Sequence, residues 1–394
     1  MGVIRQLADR LHRAMSRVTS SGAFIPEVDG LRFVAIISVI VFHMYGEYFT
    51  QKALPPWQEG GDTVAWLIFT GHFGVQLFFV ISGFVLALPF AQHHLDGGRP
   101  VKLKDYFLRR LTRLEPPYII SLIIYVIVRF YFAGYNVEKI IELMPHFWAH
   151  VFYVHGFIYG SISQPGYVSV NHVTWSLEME VQFYILAPLL ANVFRIASPT
   201  ARRGVLIGAI ILIHHLVTLV PRSSLAVLVV PFLPMFFVGF LLVDVFLVDW
   251  KRAPERTWVW DVIGVLAWCG GPFLLQQGYF ADLAAIFVVW IAYMSAFRGV
   301  MLSYIFRNRW IVAIGGMCYT LYLYHPIMLW PLQQFWKSYL FGFERTTDLG
   351  VIALQQAVYI TSVIALCTVL FVAFEKPFMK RRTWRLKLEK PHTH

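Results

Sequence analysis

Residues 31–49 read LRFVAIISVIVFHMYGEYF. A helix rises about 1.5 Å per residue, so a stretch of roughly this length crosses the hydrocarbon core of a bilayer. It is apolar almost throughout, yet Arg32 and His43 stand inside it. Their spacing of eleven residues is about 20° past three full turns, which puts both side chains on one helix face, about 16–17 Å apart along the axis. Ionisable groups in a membrane cost at least about 2.5–3.5 kcal/mol each on insertion scales, so each needs a reason. Snorkelling would account for Arg32 alone, and an interhelical hydrogen bond for His43 alone. Together, a cation at the inner mouth and a titratable base deep inside point to a polar tunnel.

The rest of the chain follows the same pattern. Of its 394 residues, 58% are hydrophobic and 14% charged, with a mean hydropathy of +0.61. Soluble domains carry roughly 25% charged residues, so soluble and disordered classes are both excluded. Ten apolar stretches occur, at about 31–49, 64–90, 117–134, 175–198, 204–220, 225–247, 257–275, 280–297, 309–336 and 351–374. The fifth carries His214 and His215, and the seventh carries Asp261 and Gly270-Gly271-Pro272. Lys and Arg divide 26 to 5 between alternate flanks, counting both termini with the rich set. Cytoplasmic flanks collect basic residues. The expected fold is therefore an all-α polytopic membrane protein of about ten transmembrane helices with both termini cytoplasmic. The net charge of +11 then reports orientation, not nucleic-acid binding. Cys269, Cys318 and Cys367 lie inside apolar stretches without a CxxC pair, so neither a disulfide nor a metal site is expected.

Three regions follow from this pattern. Residues 1–26 place Val3, Ile4, Leu7, Leu11, Met15 and Val18 at helical spacing among arginines, as in an amphipathic helix lying on the inner leaflet. Residues 27–378 form the membrane domain, and 379–394 a basic cytoplasmic tail. The longest outer segment, about 135–174, is aromatic and His-rich, with room for a short helix near 145–159.

Other ionisable residues share the membrane with His43. The fourth stretch opens Trp175-Ser176-Leu177-Glu178-Met179-Glu180. Residues two apart on a helix point about 200° apart, so only one of Glu178 and Glu180 can face a shared cavity. Asn171 and His172 precede this stretch, His72 lies in the second, and His325 lies in the ninth, about 24 Å above Arg309 on a straight helix. At the inner edge, FLRRLTRLEPPY at 107–118 puts Arg110 and Arg113 on one face if it is helical. Guanidinium forks suit phosphate oxygens.

In sequence the chain resembles the membrane-bound acyltransferase family three, the ten-helix glycan O-acyltransferases. Five blocks carry the resemblance: EVDGLR at 27–32 with the Arg-x10-His spacing, GVQLFFVISGFVL at 74–86, FLRRLTRLEPPY at 107–118, WSLEMEVQFYILAP at 175–188, and CYTLYLYHPI at 318–327. The resemblance implies an acyl-coenzyme A co-substrate bound from the cytoplasm, acetyl by default, with no tightly bound cofactor. It implies a glycan or glycolipid hydroxyl as acceptor on the outer face, and a multi-pass home in a bacterial inner membrane. It assigns Arg32, Arg110 and Arg113 to the donor, and His43 to general-base catalysis. Glu180 occupies the Glu of the WSLxxE block. Glu178 stands where a small residue is common, and Val181 where many members carry another Glu, so both carboxylates stay in play, with Glu180 preferred. Glu178, His72, Asn171, Trp175 and His325 are supporting candidates on the acceptor side. Many members append an extracytoplasmic hydrolase-like domain; residue 394 arrives without one, so transfer is expected to finish here. The rival class is a proton-coupled transporter using the same His and Glu groups. The chain shows no internal repeat of the kind many transporters carry.

Overall fold

Backbone polar groups in lipid find no water, so each apolar stretch must close its own hydrogen bonds as a helix. The computed structural model describes residues 2–18, 24–48, 58, 61–162, 164, 166–221, 225–275, 277–339 and 349–379, and among them no strand occurs. All ten apolar stretches contain helix. Among the described residues, seven helices are long and apolar enough to cross a membrane, or eight if one bent pair counts as a span. The basic tail expected at 379–394 lies outside the described residues from 380 onward.

The chain divides into two compact units. The first comprises 1–74, 109–140 and 307–394, and the second 75–108 and 141–306. In chain order the helices of the first 140 residues are α1 (Gly2–Met15), α2 (Pro26–Tyr48), α3 (Thr63–Phe69), α4 (Gly74–Leu95), α5 (Leu103–Phe132) and α6 (Val137–Val151). Then come α7 (His155–Tyr159), α8 (Trp175–Leu190), α9 (Pro199–Thr218), α10 (Leu233–Val248), α11 (Trp258–Leu274), α12 (Tyr279–Arg298) and α13 (Val300–Phe306). The last are α14 (Arg309–Gly316), α15 (Cys318–Tyr339) and α16 (Leu349–Leu370), followed by a π-helical turn at Phe371–Glu375.

Within the first unit, α2 is the hub, packed by α14, α15, α16 and the 3-10 turn Thr70–Phe73. Its contact with α14 depends on Gly315, where a Cβ would stand 1.8 Å from the Asp29 carbonyl oxygen. Small residues let membrane helices approach backbone to backbone in this way. The ninth stretch is not the straight helix expected from its composition. It bends by 70° between Arg309–Gly316 and Cys318–Leu329, so a height for His325 measured along one axis does not hold. Gly315 and Gly316 end the first arm, where glycine's weak helix propensity makes a break inexpensive. The α1 helix docks as well. Met15 is buried with Ala313, Met317, Phe371 and Met379, and Lys376 donates to the Arg13 and Ala14 carbonyls at 2.6 and 2.7 Å. Leu7 and Leu11 stay exposed.

The second unit is built round α10, whose residues from Leu233 to Phe246 are all buried. Phe236 stacks on Phe183 at 3.6 Å and on Phe79 at 4.9 Å. Two buried charges in this unit have structural duties. Asp244 joins α10 to α9 through Arg202 and Arg203, so these arginines staple the two helices together. Asp261 accepts from the N–H groups of Val300 and Leu302 at 2.8 Å and Met301 at 3.2 Å, which satisfies the orphan donors at the start of α13.

The Gly315 approach gives a direct test. Gly315→Ala should cost about 1–3 kcal/mol, because a rigid backbone oxygen occupies the methyl's place. Thermal unfolding of the detergent-solubilised protein should show the loss. Gly204→Ala is the control: nothing lies within 4 Å of a Cβ there, and alanine is the better helix former. Equal midpoints for the two variants would contradict the packing.

Candidate active site

Two of the intramembrane histidines meet. His43 Nδ1 lies 3.2 Å from His325 Nε2, with ring centroids 4.9 Å apart. Their protonation follows from their other partners. His325 Nδ1 is 2.9 Å from the Leu321 carbonyl, and His43 Nδ1 is 2.9 Å from the Val39 carbonyl. A carbonyl oxygen can only accept, so each Nδ1 carries its ring's proton. His325 Nε2 then holds a lone pair that accepts from His43 Nδ1–H, which it shares with Val39. His43 Nε2 holds the other lone pair, in the state a general base requires. When Nε2 takes a proton, two acceptors already face the Nδ1–H of the resulting imidazolium.

The fold holds this pair firmly. His325 is fully buried, and it precedes Pro326, which interrupts the helical hydrogen bonds of α15. Tyrosines from neighbouring helices serve the carbonyls there. Tyr359 donates to His325 O at 3.1 Å, and Tyr125 to Leu323 O at 3.2 Å. Phe42 separates His43 from His72, its ring 5.2 Å from the first and 5.5 Å from the second. His72 Nδ1 is occupied by the Phe69 carbonyl at 2.6 Å, and its ring packs against Phe42.

The N-terminal end of α2 carries a charge cluster. Asp29, fully buried, pairs with Arg32 one turn on and with Arg17 at 2.7 Å. The FLRRLTRLEPPY block is helical, because α5 begins at Leu103. Arg110 and Arg113 take its less exposed positions, while Arg109, Leu111 and Thr112 are exposed. Arg113 acts electrostatically on Arg17 and on Glu375. Glu375, buried in the π-helical turn, accepts from Thr320 at 2.5 Å. The arrangement joins Arg17, Arg32 and Arg113 with Asp29 and Glu375. Sequence reading missed Arg17, Asp29 and Glu375; the acidic residue one turn before Arg32 was the available signal for Asp29.

Glu178 and Glu180 belong to the second unit, and their roles there differ. Glu180 accepts from Ser82 at 2.6 Å. Glu178 is buried, accepts from the Gly156 N–H at 2.9 Å, and lies 3.7 Å from His150. Asn171 is also buried and caps the turn before α8 through Val173 N–H at 3.3 Å. Trp175, the first residue of α8, packs against Phe232 with centroids 5.8 Å apart. His150, His155 and Glu178 bring three donor atoms within 4.8 Å of one another, close enough to consider a metal. The imidazoles argue otherwise. Their planes are parallel to 1° and stacked at 4.0 Å, so their in-plane lone pairs do not converge on one ion. Their nitrogens already meet Ser169 and Thr174 on one ring, and His146 and Tyr167 on the other. Burial, then the neighbouring His146, pull His155 down to about 4, which keeps it neutral. The spacing of His146, His150 and His155 was visible in the sequence, but their convergence on Glu178 was not.

No solved structure matches the chain. The peptidoglycan O-acetyltransferase OatA of Listeria monocytogenes is 30% identical over 186 residues, which cover 46% of this chain and 26% of that protein. The O-acetyltransferase OatA of Staphylococcus aureus is 30% identical over 175 residues, 43% of this chain and 25% of that one. The chain thus spans about a quarter of the length of the curated relatives it matches. A family model described as an acyltransferase domain matches residues 25–374, nearly the whole membrane region. The chain belongs to the acyltransferase family three.

Proposed function

We propose that this protein is a membrane O-acyltransferase that moves an acyl group, acetyl by default, from cytoplasmic acyl-coenzyme A to a glycan or glycolipid hydroxyl on the outer face of a bacterial inner membrane. The observation that carries the reading is the His325–His43 hydrogen bond at 3.2 Å, which leaves the His43 lone pair on Nε2. A neutral hydroxyl is a weak nucleophile, and an imidazole is a suitable base for it at neutral pH. The ten helical stretches and the 26-to-5 charge asymmetry support ten spans with both termini cytoplasmic, and so a donor arriving at the Arg32 end of α2.

The chemistry balances without an external reagent. His43 Nε2 takes the acceptor's hydroxyl proton as the oxygen attacks the thioester carbonyl. The carbon–sulfur bond breaks as the tetrahedral intermediate collapses, and the coenzyme A thiolate takes that proton back. Arg32, Arg110 and Arg113 hold the donor's phosphates. Glu180 has the catalytic part that its place in the WSLxxE block implies, whereas Glu178 is committed to Gly156 and the His150 side of the outer segment.

Three substitutions separate these roles. His43→Ala should lose acyl transfer by roughly 10²–10⁴-fold while the protein still folds. His325→Ala should lower kcat by about tenfold to a hundredfold, about 1.4–2.7 kcal/mol in barrier, with KM for the donor nearly unchanged. Turnover near wild type in either variant contradicts its assignment. Glu180→Gln should cost far more activity than Glu178→Gln, read as acylated glycan by mass spectrometry. The reverse order would transfer the catalytic role to Glu178.

A further inference from the structure

The charge cluster at the N-terminal end of α2 includes a residue that precedes the family's matched span. Arg17 follows α1, and the family match begins at residue 25. Its side chain is only 16% exposed and that of Arg32 12%, with a fully buried Asp29 between them. Arg17 is not left there by accident of a loose terminus. Met15 sits in a buried cluster two residues earlier, Lys376 holds the last carbonyls of α1, and Arg309 pairs with Asp9 at 3.1 Å. The Arg17 guanidinium also lies over the Phe24 ring at 5.8 Å.

The cations of this group repel one another. Arg17 lies against Asp29 beside Arg32, and the charges of Arg32 and Arg113 both oppose its own. Burial, then repulsion from Arg32, pull Arg17 down to about 10, against the attraction of Asp29. Sequestered guanidinium groups that repel one another are poorly solvated, and a polyanion would relieve them through charge-assisted forks. We propose that Arg17, held beside Arg32 and Arg113 by the docked α1 helix, binds phosphate groups of the nucleotide-bearing thioester donor. The segment before the acyltransferase domain therefore completes the donor site rather than only resting on the membrane. This inference rests on the donor reading above and adds a residue to it.

The test uses the purified full chain in phosphatidylcholine nanodiscs, with coenzyme A and pantetheine as probes. Pantetheine has the same thiol arm without the nucleotide phosphates. Arg17→Ala should weaken coenzyme A about tenfold or more, the loss of one charge-assisted hydrogen bond, and leave pantetheine unchanged. Arg17→Lys, which keeps the charge but not the fork, should fall between wild type and Arg17→Ala. Equal weakening of both probes would mean that Arg17 only braces α1, and unchanged coenzyme A affinity would also overturn the proposal. An effect seen only in nanodiscs with anionic phospholipid, and the same for both probes, would assign Arg17 to lipid headgroups instead. Arg113→Ala separates the two readings. If it weakens coenzyme A while Arg17→Ala does not, only the role of Arg17 fails. If neither variant changes affinity, the arginine donor site itself is wrong.

Discussion

A carbonyl oxygen can accept a hydrogen bond but never donate one, and this orders the histidine pair of the first unit. The Leu321 and Val39 carbonyls each claim an Nδ1 proton. The polarity then runs one way, from His43 Nδ1–H into His325 Nε2. No carboxylate is needed to choose the tautomer. A neutral imidazole suffices, provided the backbone of α15 keeps its carbonyls in place. That explains why the helix carrying His325 is interrupted by Pro326 yet pinned by Tyr125 and Tyr359. The proline removes one N–H from an otherwise continuous helix, and the tyrosines tie the neighbouring carbonyls to α5 and α16.

The same helix, α2, links His43 to the charged cluster at its N-terminal end. Arg32 and His43 share one face because eleven residues make nearly whole turns, while Asp29 one turn before Arg32 brings in Arg17. Gly315 makes the link possible, since a side chain there would push α14 off the Asp29 backbone. The α14–α15 bend then returns the chain towards His43. Packing, the charge cluster and the histidine pair therefore converge on a single helix of the first unit.

Much of this was legible in the sequence, for identifiable reasons. Apolar length announced the helices, and the family blocks announced the acyltransferase domain. The Arg32–His43 face followed from helical periodicity alone. What escaped had another physical origin. The bend after Gly316 is a local backbone event inside a hydrophobic run, and hydropathy averages across it. The ion pair of Arg202 with Asp244 joins residues far apart in sequence, and charge counting by loops assigns the arginine to orientation. Asp261 looked like a flaw in an apolar stretch until the start of α13 supplied three N–H donors. Arg17 looked like one more basic residue of an amphipathic segment, because periodicity describes a helix face but not what that helix docks against.

The most direct test of the account is the protonation of His43 itself. Nitrogen-15 NMR of histidine-labelled protein, with His43 assigned by comparison with His43→Ala, distinguishes the two neutral tautomers by their ring shifts. The account predicts His43 protonated on Nδ1 and unprotonated on Nε2 at neutral pH. A His43 signal with the proton on Nε2 would contradict it, because the lone pair would then point at the Val39 carbonyl and no base would face the acceptor.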